Sequence, residues 1–209
     1  MNKKEEHIIR HTILSRLGHW LMAILILILL ATGILPIMGV KFEWIKPHWI
    51  AGFTVSVVMI LHLVRSLSPK KIKSMWISIQ DVRDFLSSNP VKGGKYSLEQ
   101  KLMHHGVTFF SLISLATGWL MMQKIETPFF ERNPFIYQAD TWGIIYVLHG
   151  LATLFFVILI MLHIYFSLRP EKRLYFRSMI KGWITRQEYN ENYDQTKWQI
   201  TKNNNKENQ

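Results

Sequence analysis

AILILILL, residues 23–30, is apolar on every face of a helix. A helix packed on one side of a soluble core keeps a polar face, and this stretch has none. Reading outward, no Asp, Glu, Lys or Arg occurs from Leu17 to Val40. Three further stretches share that property: Pro47–Val64, Leu102–Gln123 and Thr141–Leu168. Crossing the hydrocarbon layer takes roughly 20 apolar residues, and about 17 suffice at the low end. All four stretches qualify. Buried helices of a soluble protein are the alternative, and it is disfavoured because nearly every long apolar run here has spanning length. The expected fold is all-α, an integral membrane four-helix bundle with helices at about 17–38, 48–67, 102–123 and 142–168. The first run follows a charged leader but is too long for a signal-peptide core. No small-x-small cleavage motif follows near Pro36, so it reads as a retained helix.

The formal net charge of +11 raises nucleic acid as a partner, but the placement of the charge argues against it. Lys and Arg gather in the leader (Lys3, Lys4, Arg10, Arg16), in the middle loop (Arg65, Lys70, Lys71, Lys73, Arg83, Lys92, Lys95, Lys101) and from Arg169 onward. The two short loops carry Lys41, Lys46, Lys124 and Arg132. By the positive-inside rule both termini and the middle loop are cytoplasmic. The basic residues also favour contact with anionic lipid. In the middle loop, KIKSMWISIQDVRDFLS (residues 71–87) repeats Ile72, Met75, Trp76, Ile79, Val82 and Phe85 at helical spacing. It reads as a short amphipathic interfacial helix, and the basic-aromatic segment Lys172–Thr185 as a second. Residues 1–190 thus form the membrane domain, and residues 191–209 a polar, disordered cytoplasmic tail.

The chain has no cysteine, which excludes Cys-ligated iron–sulfur clusters, covalent haem attachment through C-x-x-C-H, and thiol chemistry. It does have histidines inside the membrane. His48, His62, His149 and His163 lie within charge-free spans, and His19 near the end of one. Ionisable groups at such depth are costly and usually functional. No carboxylate stands beside them, as a proton or ion path would require.

An internal repeat orders them. His19…Ala31-Thr32-Gly33 matches His104…Ala116-Thr117-Gly118, and His48…His62 matches His149…His163. The halves therefore read as parallel copies about an axis along the membrane normal. Fourteen helical residues rise about 21 Å and leave the two side chains about 40° apart. Each of the second and fourth helices presents two imidazoles on nearly one face, one towards each surface. Opposed neutral imidazoles across a bundle core suit two bis-histidine haems. A Zn²⁺ or Cu²⁺ transport site is the rival from another class, and one ion cannot bridge that separation. A lone membrane histidine can also serve as a helix–helix hydrogen-bond donor. His104 and His105 lie at a span end, and His7 and His11 in the leader. Gly33, Gly52, Gly118 and Gly150 suit close packing or room for a flat macrocycle. Arg16, Arg65 and Arg169 are positive-inside residues that can also neutralise haem propionates.

RLGHW (residues 16–20) with Thr32-Gly33 resembles the first helix of bacterial dihaem cytochrome b subunits. That family comprises the membrane anchors of formate dehydrogenases, nickel–iron hydrogenases and thiosulfate reductases. HWIAG (48–52) with Arg65 resembles its second helix, and His149 with HIY (163–165) its fourth. GKYSLEQK (94–101) and SMIKGWIT (178–185) are similar to the gamma, or cytochrome b, subunit of formate dehydrogenase-N. The resemblance covers roughly residues 10 to 195. It implies two non-covalent b-type haems, one on His48 and His149 nearer the periplasm and one on His19 and His163 nearer the cytoplasm. His62 is the alternative ligand opposite His163, as the internal symmetry would have it. The resemblance further implies a quinone site beside the cytoplasmic haem, at Ser97, Gln100 and His104. The formate branch tends to have Asn where this chain has Ser97. The implied role is an electron-carrying anchor for a periplasmic-side iron–sulfur subunit and a catalytic subunit, delivering to menaquinone or ubiquinone. It is a subunit of an oxidoreductase, not a complete catalyst. A free-standing dihaem quinol oxidoreductase, or the cytochrome b of a hydrogenase or a thiosulfate or polysulfide reductase, is the alternative.

Overall fold

The computed structural model describes residues 6–87 and 92–200. Its four long helices are α1 (Ile13–Ile37), α2 (Ile45–Ser66), α5 (Leu98–Met121) and α6 (Ala139–Leu168). All four are long and apolar enough to cross a membrane, α5 together with the turn that follows it to Lys124. Shorter helices are α3 (Pro69–Met75), α4 (Ile79–Leu86), α7 (Arg173–Lys181) and α8 (Arg186–Asn192). Two three-residue strands, β1 (His7–Ile9) and β2 (Trp183–Thr185), complete the elements. α1 and α5 begin a turn before their apolar runs and α2 and α6 two residues before theirs, because the helix continues through polar flanks such as Ser15 and Arg16.

The chain divides into two compact units. One gathers Trp20–Val64 and His105–Leu162, and so segments of all four long helices. Its packing inverts that of a soluble bundle. Leu27, Ile60, Leu61, Ile144 and Leu154 face outward, while Thr32, Ser56, Ser111 and Thr117 are buried. Lipid solvates the first group, and the second finds partners inside. Trp119 Nε1, for example, donates to Ser56 Oγ at 3.0 Å, joining α5 to α2. Phe110 stacks on Phe155 at 4.9 Å, joining α5 to α6.

The other unit gathers, among the described residues, 6–19, 65–87, 92–104 and 163–200. Here β1 pairs antiparallel with β2, bringing Ile8 opposite Ile184. Both isoleucines are fully buried, with Tyr189, Tyr193 and Trp198 around them. The expected disordered tail is thus folded as far as this core reaches. The boundary at 190 falls inside α8, and Trp198 is buried because its ring meets Tyr193 edge-on at 4.7 Å. Residues 201–209 lie outside the described residues. The amphipathic stretch 71–87 is two helices rather than one. Ser78 interrupts it by accepting from the Asp81 amide while the Asp81 carboxylate accepts from the Ser78 amide, a reciprocal cap that starts α4. Lys101, 7 % exposed, fixes α4 to α5 through Asp81 Oδ2 at 2.7 Å and the Trp76 carbonyl at 3.0 Å.

Candidate functional site

Four of the histidines singled out above meet in two pairs. In the four-helix unit, His48 on α2 faces His149 on α6 with ring centroids 6.4 Å apart and planes 68° apart. In the other unit, His19 on α1 faces His163 on α6 at 6.1 Å and 48°. Bonds from a metal to imidazole nitrogen are about 2.0–2.1 Å long. Ring bonds of about 1.33 Å put a ring centre about 1.1 Å behind its nitrogen. Two imidazoles facing one iron from opposite sides therefore have centroids about 6.3 Å apart. Both pairs fit an axial bis-histidine haem on that test.

The first pair is oriented from behind. Thr32 Oγ1 lies 2.8 Å from His48 Nδ1, and Thr117 Oγ1 lies 2.8 Å from His149 Nδ1. Each imidazole thereby turns its Nε2 away from the threonine. The neighbouring glycines border the same rings. A Cβ on Gly33 would lie 3.6 Å from His48 Cε1, and one on Gly118 would lie 3.5 Å from His149 Cε1. The repeated Ala-Thr-Gly is therefore a cradle for a histidine on the next helix. The repeat was visible in the sequence, but the threonine's task was not, because its partner sits on a different helix in each half.

A model of the prokaryotic cytochrome b561 family matches residues 10–182. The chain belongs to that family. It is thus a membrane cytochrome b that holds b-type haem and serves electron transfer. It is also similar to the formate dehydrogenase cytochrome b556(fdo) subunit of Escherichia coli K12, with 23 % identity over 198 residues covering 88 % of each chain. The same subunit in E. coli O6:H1 and O157:H7 matches to the same degree.

Around the second pair this cytochrome b carries a dense cationic cap. Arg10 is 2 % exposed. It donates to Ser178 Oγ at 3.1 Å and to the Lys95 carbonyl at 3.0 Å, with its guanidinium 4.6 Å from the Tyr175 ring centre. Arg16 donates to the Ile180 carbonyl. Gly182 makes room for that arrangement. Its φ is +90°, and a Cβ there would lie 3.0 Å from the His11 carbonyl and 3.1 Å from the Arg16 guanidinium. His11 shares this neighbourhood. Burial and the charges of Arg10 and Lys95 push its imidazole down to about 3, so it is neutral at physiological pH. Neither Arg10 nor His11 stood out in the sequence, since a leader rich in Lys and Arg reads as topology alone.

Of the quinone candidates, Ser97 and Gln100 cap α5 reciprocally. The Ser97 amide donates to Gln100 Oε1 at 3.2 Å, and the Gln100 amide points to Ser97 Oγ at 3.4 Å. His104 lies one turn further along α5 and is exposed. His62 lies on α2 and is exposed, as is His163, which faces His19.

Proposed function

We propose that this cytochrome b is a dihaem membrane-anchor subunit of a formate dehydrogenase-like respiratory oxidoreductase. It carries electrons between a periplasmic-side iron–sulfur partner and the menaquinone pool of a bacterial inner membrane. Both termini and the middle loop are cytoplasmic in this reading. The observation that carries it is the presence of two opposed histidine pairs, each at the spacing of paired axial ligands. The relatives' name, formate dehydrogenase cytochrome b556 subunit, supplies the class of partner.

When bound, the haems supply reversible one-electron chemistry. The rest belongs to the chain. His48 and His149 hold one group from α2 and α6, and His19 and His163 hold the other from α1 and α6. Arg16 and Arg10 supply fixed positive charge in the unit of the second pair, which suits haem propionates there. Quinone reduction takes up protons as well as electrons. Ser97, Gln100 and His104 at the head of α5 are the proposed hydrogen-bond partners of the quinone head group, with His104 as the titratable member.

Purification of the tagged chain from its native membranes tests the assignment. An iron–sulfur protein should co-purify, and the complex should reduce a menaquinone analogue with formate as donor. A chain that purifies alone with two haems and oxidises quinol unaided would contradict it.

A further inference from the structure

Thr32 and Thr117 each make two contacts that constrain one another. Thr32 Oγ1 lies 2.7 Å from the Ile28 carbonyl, and Thr117 Oγ1 lies 2.7 Å from the Ile113 carbonyl. Each also lies 2.8 Å from a histidine Nδ1. A hydroxyl has one proton to give, and a carbonyl has none. The hydroxyl proton therefore goes to a carbonyl, and the oxygen's lone pair receives N–H from the imidazole, which also hydrogen-bonds a backbone carbonyl, that of Leu29 at His48 and that of Ser114 at His149. That assignment leaves the lone pair of each histidine on Nε2. Thr54 and Thr153 make the same bond to the preceding turn, so the backbone contact alone carries nothing. The contact to the imidazole is what distinguishes the pair. Both threonines are only 6 % exposed, so water does not compete for it.

We infer that Thr32 and Thr117 are positioning residues that fix the tautomer and ring plane of His48 and His149 and lower the potential of the haem these hold. The inference rests on reading His48 and His149 as axial ligands. A hydrogen bond given by Nδ1–H shifts negative charge into the ring and makes Nε2 the stronger donor. A stronger donor stabilises the oxidised iron more than the reduced iron, so the potential falls. The internal repeat places the device on both ligands of one haem. The two ring planes stand 68° apart. Strongly crossed imidazoles give low-spin ferric haem a more anisotropic electron paramagnetic resonance signal than parallel ones do.

The test is a redox titration with spectroscopy of the haem-replete chain, comparing Thr32→Val, Thr117→Val, the double variant, and Thr32→Ser and Thr117→Ser. His48→Ala identifies which component belongs to the first pair. Each valine, which keeps the shape and removes the hydroxyl, should raise that haem's midpoint potential and change its resonance signal. The double variant should shift further, and the serines should restore wild-type values, while the second haem stays unmoved. Loss of the haem in the valine variants with retention at wild-type potential in the serines also supports the inference. Unchanged potential and signal in the valines, an equal shift of both haems, or loss of the haem in serine and valine alike would overturn it. A wild-type chain with no His48-dependent haem would overturn the ligand reading and the inference with it.

Discussion

A neutral imidazole has one ring nitrogen with a lone pair and one with a proton, so a second contact decides which nitrogen can bind iron. At His48 that contact comes from the Thr32 hydroxyl with the Leu29 carbonyl, and at His149 from the Thr117 hydroxyl with the Ser114 carbonyl. At the second pair, His19 and His163 face each other at 6.1 Å, and His62 is the competing ligand by sequence symmetry. His19→Ala should therefore release one of two haems or leave it five-coordinate, and stop quinone reduction. His62→Ala should keep both haems low-spin, because loss of a residue other than an axial ligand leaves the bis-histidine spectrum largely intact. Optical and resonance spectra of the two variants check this, and the reverse outcome would reassign the ligand. Spacing along one helix brought out His48, His62, His149 and His163 alike, since it needs no knowledge of neighbours. The choice between His19 and His62 was not legible in that way, because it depends on which helices adjoin.

Among the elements, α4 shows what apolar periodicity misses. Its outward Ile79 and Phe85 were read from the 3.6-residue repeat, but its start was not. Ser78 and Asp81 form the cap, and Asp81 also takes the charge of Lys101, whose side chain is 8 % exposed. Burial alone would raise the Asp81 carboxyl, but hydrogen bonds from Lys101 and Ser78 outweigh it and hold the group below the usual carboxylate range. Because the folded value is depressed, the unfolded chain binds more protons in the window between the two values, and stability rises with pH across it. The contribution is complete above the ordinary aspartate value of about 4 and fades as pH falls below it. Hydrogen-exchange protection of residues 79–86, taken relative to the intrinsic rate at each pH, should fall on acidification through that window, and Asp81→Asn should start out less protected and lose the pH dependence. Equal protection in both proteins at every pH would contradict this. Removing the cap hydroxyl with Ser78→Ala should cost about 1 kcal/mol locally, by the same exchange measurement. Gly182 ends α7 at φ +90°, where an L side chain costs roughly 1–2 kcal/mol. Gly182→Ala should also push against Arg16, and limited proteolysis should cut residues 173–193 faster than in the wild type.

Across the whole molecule, the membrane part was legible and the non-membrane part was not. Runs without charge locate the four helices because lipid tolerates few alternatives to a self-satisfied backbone. The pairing of Ile8 with Ile184 joins three-residue strands near opposite ends of the chain, too short for any local pattern to announce. The same pairing turns the basic leader from a topology signal into part of a packed cap around Arg10 and His11. Reporter fusions should place that cap, Lys92 included, on the cytoplasmic side. A periplasmic signal at Lys92 would invert the proposed direction of electron transfer. The central claim is that the two histidine pairs each hold a b-type haem. A pyridine haemochrome assay on the chain purified after growth with ample haem measures it directly. It should find two non-covalent haems per chain, and a value of one or none would contradict the account.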